Sequence, residues 1–170
     1  VPVAGDRPRP RILREASMPN GKYYVDWFVG ESYLTPRRTL TQTDIISFAQ
    51  LSGDFNPPHV DFEFCKTQPY GEIIAHGPLV YAVTGGLICQ SGMNDGTIVA
   101  LLGVDEWRIH APVKHGDPIH AAITVLDKRL TSKGDKGIVT VRREVLNQHA
   151  VAVHTMKTDI MYLCREAAAA

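Results

Sequence analysis

An aspartate and a histidine five residues apart, Asp54 and His59, flank Asn56 and the dipeptide Pro57-Pro58. The two prolines fix two backbone φ angles and push the residues before them toward extended geometry, so the sequence predicts a stiff loop that presents both side chains from set positions. A carboxylate beside an imidazole can hold a water between them. An imidazole with an intrinsic pKa of about 6.5 can take up or release that water's proton near neutral pH. The chemistry on offer is acid–base work on water, and it depends on position. A capped turn next to a surface histidine would show the same two residue types, so the elements around them carry the decision.

Those elements follow from periodicity and caps. Thr41 and Asp44 have capping-box spacing, Ile45, Phe48 and Ala49 recur at helical intervals, and Gly53 suits a helix end, so the pair follows directly on a helix. A short helix is expected over Asp61 to Lys66, before Pro69 and Gly71. A third starts at Gly77-Pro78, where proline fits the first helical turn, and runs toward Gly92; its near-continuous apolarity predicts burial. After Gly96 the period changes to that of strands: Thr97 to Val104, Glu106 to Val113, Ile119 to Lys128, Gly137 to Leu146 and Val151 to Tyr162. A buried helix followed by a run of long strands implies an α+β fold, with an antiparallel sheet covering the helix. The expected organisation is one domain over residues 21–166, a poorly ordered arm rich in Pro and Arg over residues 1–20, and an alanine tail over 167–170.

Composition narrows the function. Lys plus Arg equals Asp plus Glu at 18 each, and no basic block is interleaved with aromatics, so no nucleic acid is expected as partner. The longest apolar stretch, Pro78 to Cys89, contains two glycines and is too short to span a bilayer, so no membrane is expected either. The three cysteines are scattered without C-x-x-C spacing, which argues against both a disulfide framework and a zinc site. Reduced thiols and the lack of an apolar leader region predict a cytoplasmic protein.

The stretch Ser52-Gly53-Asp54-Phe55-Asn56-Pro57-Pro58-His59, then Asp61, then Ala75-His76-Gly77-Pro78-Leu79, closely resembles the MaoC-like dehydratases, whose best-known members are the R-specific enoyl-CoA hydratases. Weaker likeness extends through Arg37-Arg38-Thr39, Ala111-Pro112-Val113 and Gly116-Asp117, and covers roughly residues 23–163. The resemblance implies a hot-dog fold, a long central helix wrapped by an antiparallel sheet. It implies reversible addition of water across the 2,3 double bond of an acyl thioester of coenzyme A or acyl carrier protein, with Asp54 and His59 as the catalytic pair. Gly77 would donate its backbone N–H to the thioester carbonyl, as an amide at a helix N-terminus can toward developing negative charge. Asn56, His76, Pro78 and Gly85 complete the expected substrate-binding set, Asn56 by shaping the loop and His76 with a structural hold on it.

The chain departs from the family pattern at two of these positions. Many members have Met where Pro78 stands, and a proline cannot supply a second N–H, which leaves more to Gly77. Gly85 stands where some hydratases place a Ser; Gly85-Gly86 either makes room for an acyl chain or allows close helix-to-sheet packing. His110, His115 and His120 recur every five residues, but residues five apart on a strand face opposite ways and Pro112 and Pro118 interrupt the run. They read as three surface histidines, and no metal or other cofactor is expected. A single sheet layer around one helix leaves strand edges and an apolar face for a second copy, so a homodimer or higher oligomer is expected. Two other readings remain open: a hot-dog thioesterase, and a catalytically weak acyl-thioester-binding subunit of a larger dehydratase.

Overall fold

The computed structural model describes residues 21–165 together with the backbone of Ile12–Glu15. Strand β1 (Ile12–Glu15) pairs in parallel with β2 (Ser32–Leu34). The remainder of the expected arm and the alanine tail lie outside the described residues. A short 3-10 turn, Tyr24–Asp26, precedes β2, and the two-residue β3 (Arg38–Thr39) leads into helix α1 (Gln42–Ser52).

Helix α1 starts on the expected reciprocal cap. Thr41 Oγ1 accepts from the Asp44 N–H at 3.2 Å, and the Asp44 carboxylate accepts from the Thr41 N–H at 2.8 Å. It ends at Gly53, whose φ of 79° is open to glycine at little cost, with the Gly53 N–H on the Ala49 carbonyl at 2.8 Å. The chain then makes two short helices, α2 (Pro57–Val60) and α3 (Phe62–Lys66). The prolines thus start a helical turn where a stiff loop was expected. The first helical positions need no N–H, so the residues that stiffen a loop serve equally as a helix start. Asp61 caps α3, its Oδ1 accepting from the Phe64 N–H at 2.8 Å.

Helix α4 (Gly77–Gln90) is the long central element, with proline in its first turn as expected. Leu79, Val80, Val83, Thr84, Leu87 and Ile88 are buried at i, i+3/i+4 spacing, while Pro78, Ala82, Gly86 and Cys89 on the other side are exposed. Burial of the whole helix is therefore corrected to burial of one face. Its apolar outer face has no cover among the described residues.

Four long strands follow, β4 (Ile98–Ile109), β5 (Pro118–Leu130), β6 (Lys136–Leu146) and β7 (Ala152–Leu163). The sheet order is β1-β2-β5-β6-β7-β4, with β3 also against β5 and every pairing after the first antiparallel. Two expected strands merge in β4: Glu106, at a φ of 51°, bulges the strand without ending it, and the register against β7 shifts between Asp105 and Arg108. The sheet wraps α4 as a hot-dog fold requires. One apolar cluster joins α1, the start of α4 and the β5–β7 region through Ile45, Leu79, Val80, Ile119, Val145 and Met156. A second joins the end of α4 to the other half of the sheet through Trp27, Ile88, Val125, Val141 and Tyr162.

Candidate active site

Four hydrogen bonds and a ring stack hold Asp54 and His59 in place. The Ile74 N–H donates to the Pro58 carbonyl at 3.0 Å, and the Ala75 N–H donates to the Val113 carbonyl at 2.7 Å, which fastens the segment before α4 to both α2 and the chain that follows the first long strand. The buried Cys65 thiol donates to the Pro58 carbonyl at 3.4 Å from below. His76, the residue before α4, is only 1% exposed and donates Nε2–H to the Asp54 main-chain carbonyl at 2.9 Å. The His76 ring also stacks under that of His59, centroids 3.7 Å apart and planes 24° apart, and packs against Phe48 on its own other side. It presents no surface on which a bound molecule could rest, so of its two expected roles the structural hold is the one its burial accommodates.

His59 donates Nδ1–H to the Ile74 carbonyl at 2.7 Å, which leaves the lone pair of the neutral ring on Nε2. Asp54 Oδ1 accepts from the Asn56 side-chain amide at 2.6 Å and from the Asn56 backbone N–H at 3.3 Å. The Asn56 backbone N–H holds the Asp54 carboxyl below the usual carboxylate range; desolvation opposes it, and the Asn56 side chain, His59 and His76 add to the lowering. Asn56 therefore acts on Asp54. A carboxylate oxygen of Asp54 and one nitrogen each of His59 and His76 lie within 4.8 Å of one another. Hydrogen bonds to carbonyls engage His76 Nε2 and His59 Nδ1, and His76 Nδ1 is buried without a partner among the described residues.

Next to the pair is a cavity of about 420 Å³ lined by His59, Gly77, His110, His154 and a wall of apolar residues including Ile109 and Val113. Gly77 is the first residue of α4, so its N–H has no partner within the helix. A Cβ on Gly77 would sit 2.6 Å from Ile109 Cδ1, the tip of an exposed side chain that would have to turn away. Pro78 is exposed on the outer face of α4. A Cβ on Gly85 or Gly86 would meet nothing within 4 Å, so close packing does not explain that pair; the helix is open beside them.

The three recurring histidines separate. His115 pairs with Glu72 at 2.9 Å on the surface, and exposed His110 shares a 2.8 Å hydrogen bond with Thr155. His120 is buried at 6% exposure with Nδ1 unpartnered, and burial, then Arg37, lowers its pKa. The surface reading of His120 is thus corrected: it falls on β5 beside Ile119 and Ala121, where the strand is covered on both sides. The residue the sequence reading passed over is His154 on β7. Its position shares the inward parity of Met156, Ile160 and Tyr162, and a titratable residue in such a register was the available signal.

The comparisons agree with the geometry. The chain matches the MaoC like domain model over residues 27–147, and it belongs to that family. Protein MaoC of Klebsiella aerogenes is 38% identical over 68% of this chain, although the match spans only 33% of that longer protein. An (R)-specific enoyl-CoA hydratase of Aeromonas caviae is 33% identical over 62% of this chain and 73% of its own length. Among solved structures, a monoamine oxidase regulatory protein from Archaeoglobus fulgius superposes with a TM-score of 0.79 at 32% identity, covering 89% of this chain and 99% of that one. Relatives named (R)-specific enoyl-CoA hydratase and 3-hydroxybutyryl-CoA dehydratase support a hydro-lyase at the level of the family, and a solved neighbour from Mycobacterium tuberculosis has a double hot-dog fold. Among the described residues no helix is long and apolar enough to cross a membrane.

Proposed function

We propose that this protein reversibly hydrates trans-2-enoyl thioesters of coenzyme A or acyl carrier protein to (R)-3-hydroxyacyl thioesters. The observation that carries the reading is the pairing of an ionised Asp54 with a His59 whose Nε2 is free, next to a cavity that His59 and the first residue of α4 share. A water held between the Asp54 carboxylate and His59 Nε2 gives its proton to Nε2 as its oxygen bonds to C3. The electron pair of the 2,3 double bond moves toward the thioester carbonyl, and the Gly77 N–H supports the enolate oxygen. The proton then returns to C2, so water is added and nothing else is consumed. In dehydration the same groups run in reverse.

The active unit in this reading is a homodimer. Its support is the uncovered apolar side of α4 and the edge strand β4, which exposes Ile98, Val99, Leu101 and Leu102 on both of its faces.

Incubation with crotonyl-CoA tests the reaction. Loss of the enoyl absorbance with formation of the (R)-3-hydroxy product is expected. Release of free thiol would mark a thioesterase, binding without turnover would mark an acyl-binding subunit, and either would displace the proposal.

A further inference from the structure

An enolate oxygen supported by one N–H is poorly held, and Pro78 removes the next backbone donor of α4. The cavity supplies another. His154 is 2% exposed and lines the same cavity as His59 and Gly77. Trp107 Nε1–H donates to His154 Nδ1 at 3.5 Å, which puts the proton of the neutral imidazole on Nε2. No acceptor for that Nε2–H is found among the described residues. Trp107 also lies against the helix start, its ring 3.8 Å from where a Gly77 Cβ would be, so one indole touches both groups.

We propose that His154 is a catalytic residue of the hydration reaction, its Nε2–H being the second donor to the thioester carbonyl oxygen beside the Gly77 N–H. Trp107 is then a positioning residue that sets the tautomer of His154. The assignment rests on the hydratase reading and deepens it. Burial, with His110 adding, holds the His154 pKa down to about 4, so the ring is neutral at physiological pH. A neutral imidazole is a very weak acid, so it polarises the carbonyl without giving up its proton. Proton transfer stays with His59 and Asp54, and charge stabilisation falls to Gly77 and His154.

The test uses a chromophoric enoyl thioester, 4-(dimethylamino)cinnamoyl-CoA, whose absorption moves to the red when its carbonyl is polarised, together with steady-state hydration of crotonyl-CoA. The parent should red-shift the bound probe. His154→Phe should lose most of that shift and about a hundredfold or more in kcat, as expected for a missing oxyanion donor, with KM within a few-fold. His154→Gln, which keeps a donor near the Nε2 position, should recover part of both, and Trp107→Phe should fall between. A folded His154→Phe with the parent's red shift and kcat overturns the proposal. Should that variant fail to fold, the Nε2 ¹⁵N resonance of His154 in the parent gives the answer: it must move on probe binding, and an unmoved resonance overturns the assignment. Failure of the hydratase reading is seen separately, as a parent that leaves crotonyl-CoA unchanged.

Discussion

His76 donates its Nε2–H to the Asp54 main-chain carbonyl at 2.9 Å while its ring lies 3.7 Å beneath that of His59, so one buried residue at the head of α4 sets the height of both members of the pair. Replacing it by Phe keeps a ring to stack and removes the donor. We expect His76→Phe to fold with a loss of about 1 kcal/mol, the usual net worth of one hydrogen bond. kcat should fall at least tenfold with KM little changed, because the fault is in the placing of the pair. Enoyl-CoA kinetics alongside urea unfolding check this, and a rise in KM with kcat unchanged would assign His76 to substrate contact.

Asp54 and His59 are expected to act on one water and therefore to fail together. Asp54→Asn and His59→Gln should each lower hydration roughly a hundredfold to ten-thousandfold, and the double variant should be little worse than either. Independent contributions would multiply. Both side chains are partly exposed, so thermal stability should barely move. Rates within a few-fold of the parent in either folded variant would remove the pair from the mechanism.

Much of this arrangement was legible because its signals are local. The Thr41–Asp44 cap, Gly53 and the Gly77-Pro78 start each announce themselves within four residues, and together they set the pair between two helices. The strands of β2 and β3 are three and two residues long, too short for any period to show. Pro57-Pro58 is chemically the same signal for a stiff loop and for a helix start, so α2 was missed. Glu106 lies where a turn would be expected, yet the β7 partners carry the strand through it. The inward register of His154 was legible, but its meeting with Trp107 and with the cavity that Gly77 lines was not, because those residues are dozens of positions away and come together only in the folded chain.

Assembly should follow from the exposed surfaces. Light scattering at micromolar concentration is expected to show at least a dimer. Leu102→Lys on β4, or Ala82→Lys on the outer face of α4, should shift it toward monomer by placing charge on an apolar contact. Activity should fall with dissociation and recover as protein concentration is raised. A fully active monomer would rule out the dimeric unit.

His154 should also mark the acid limb of stability. Its pKa is about 4 in the folded protein, against about 6.5 in an unfolded chain, so between those values the unfolded state binds a proton that the native state refuses. Stability must then fall as pH drops from about 6.5 to about 4, with no further contribution below. His59, His110 and Tyr70 face the same cavity, and buried His120 acts in the same direction; all four remain in a His154→Gln variant. Urea midpoints at about pH 7 and about pH 4.5 should therefore separate more in the parent than in that variant, and equal separations would show that His154 titrates normally.

Gly77 and Ile109 offer a way to divide packing from chemistry. A Cβ at Gly77 would stand 2.6 Å from Ile109 Cδ1, the tip of a side chain that is 58% exposed and able to turn away at some cost. Gly77→Ala should thus be destabilised by about 1 kcal/mol, as overpacked sites are. Ile109→Ala removes the obstructing methyl, so the double variant should be more stable than the sum of the two single effects predicts, with a coupling of at least about 0.5 kcal/mol. Turnover should behave otherwise. The added methyl lies at the cavity wall where the thioester carbonyl is proposed to approach the Gly77 N–H, and removing Ile109 does not remove it. The double variant should therefore regain stability and remain slower than Ile109→Ala alone. Recovery of kcat to the Ile109→Ala level would mean that Gly77 is kept for packing only, and the oxyanion would then rest on His154 alone.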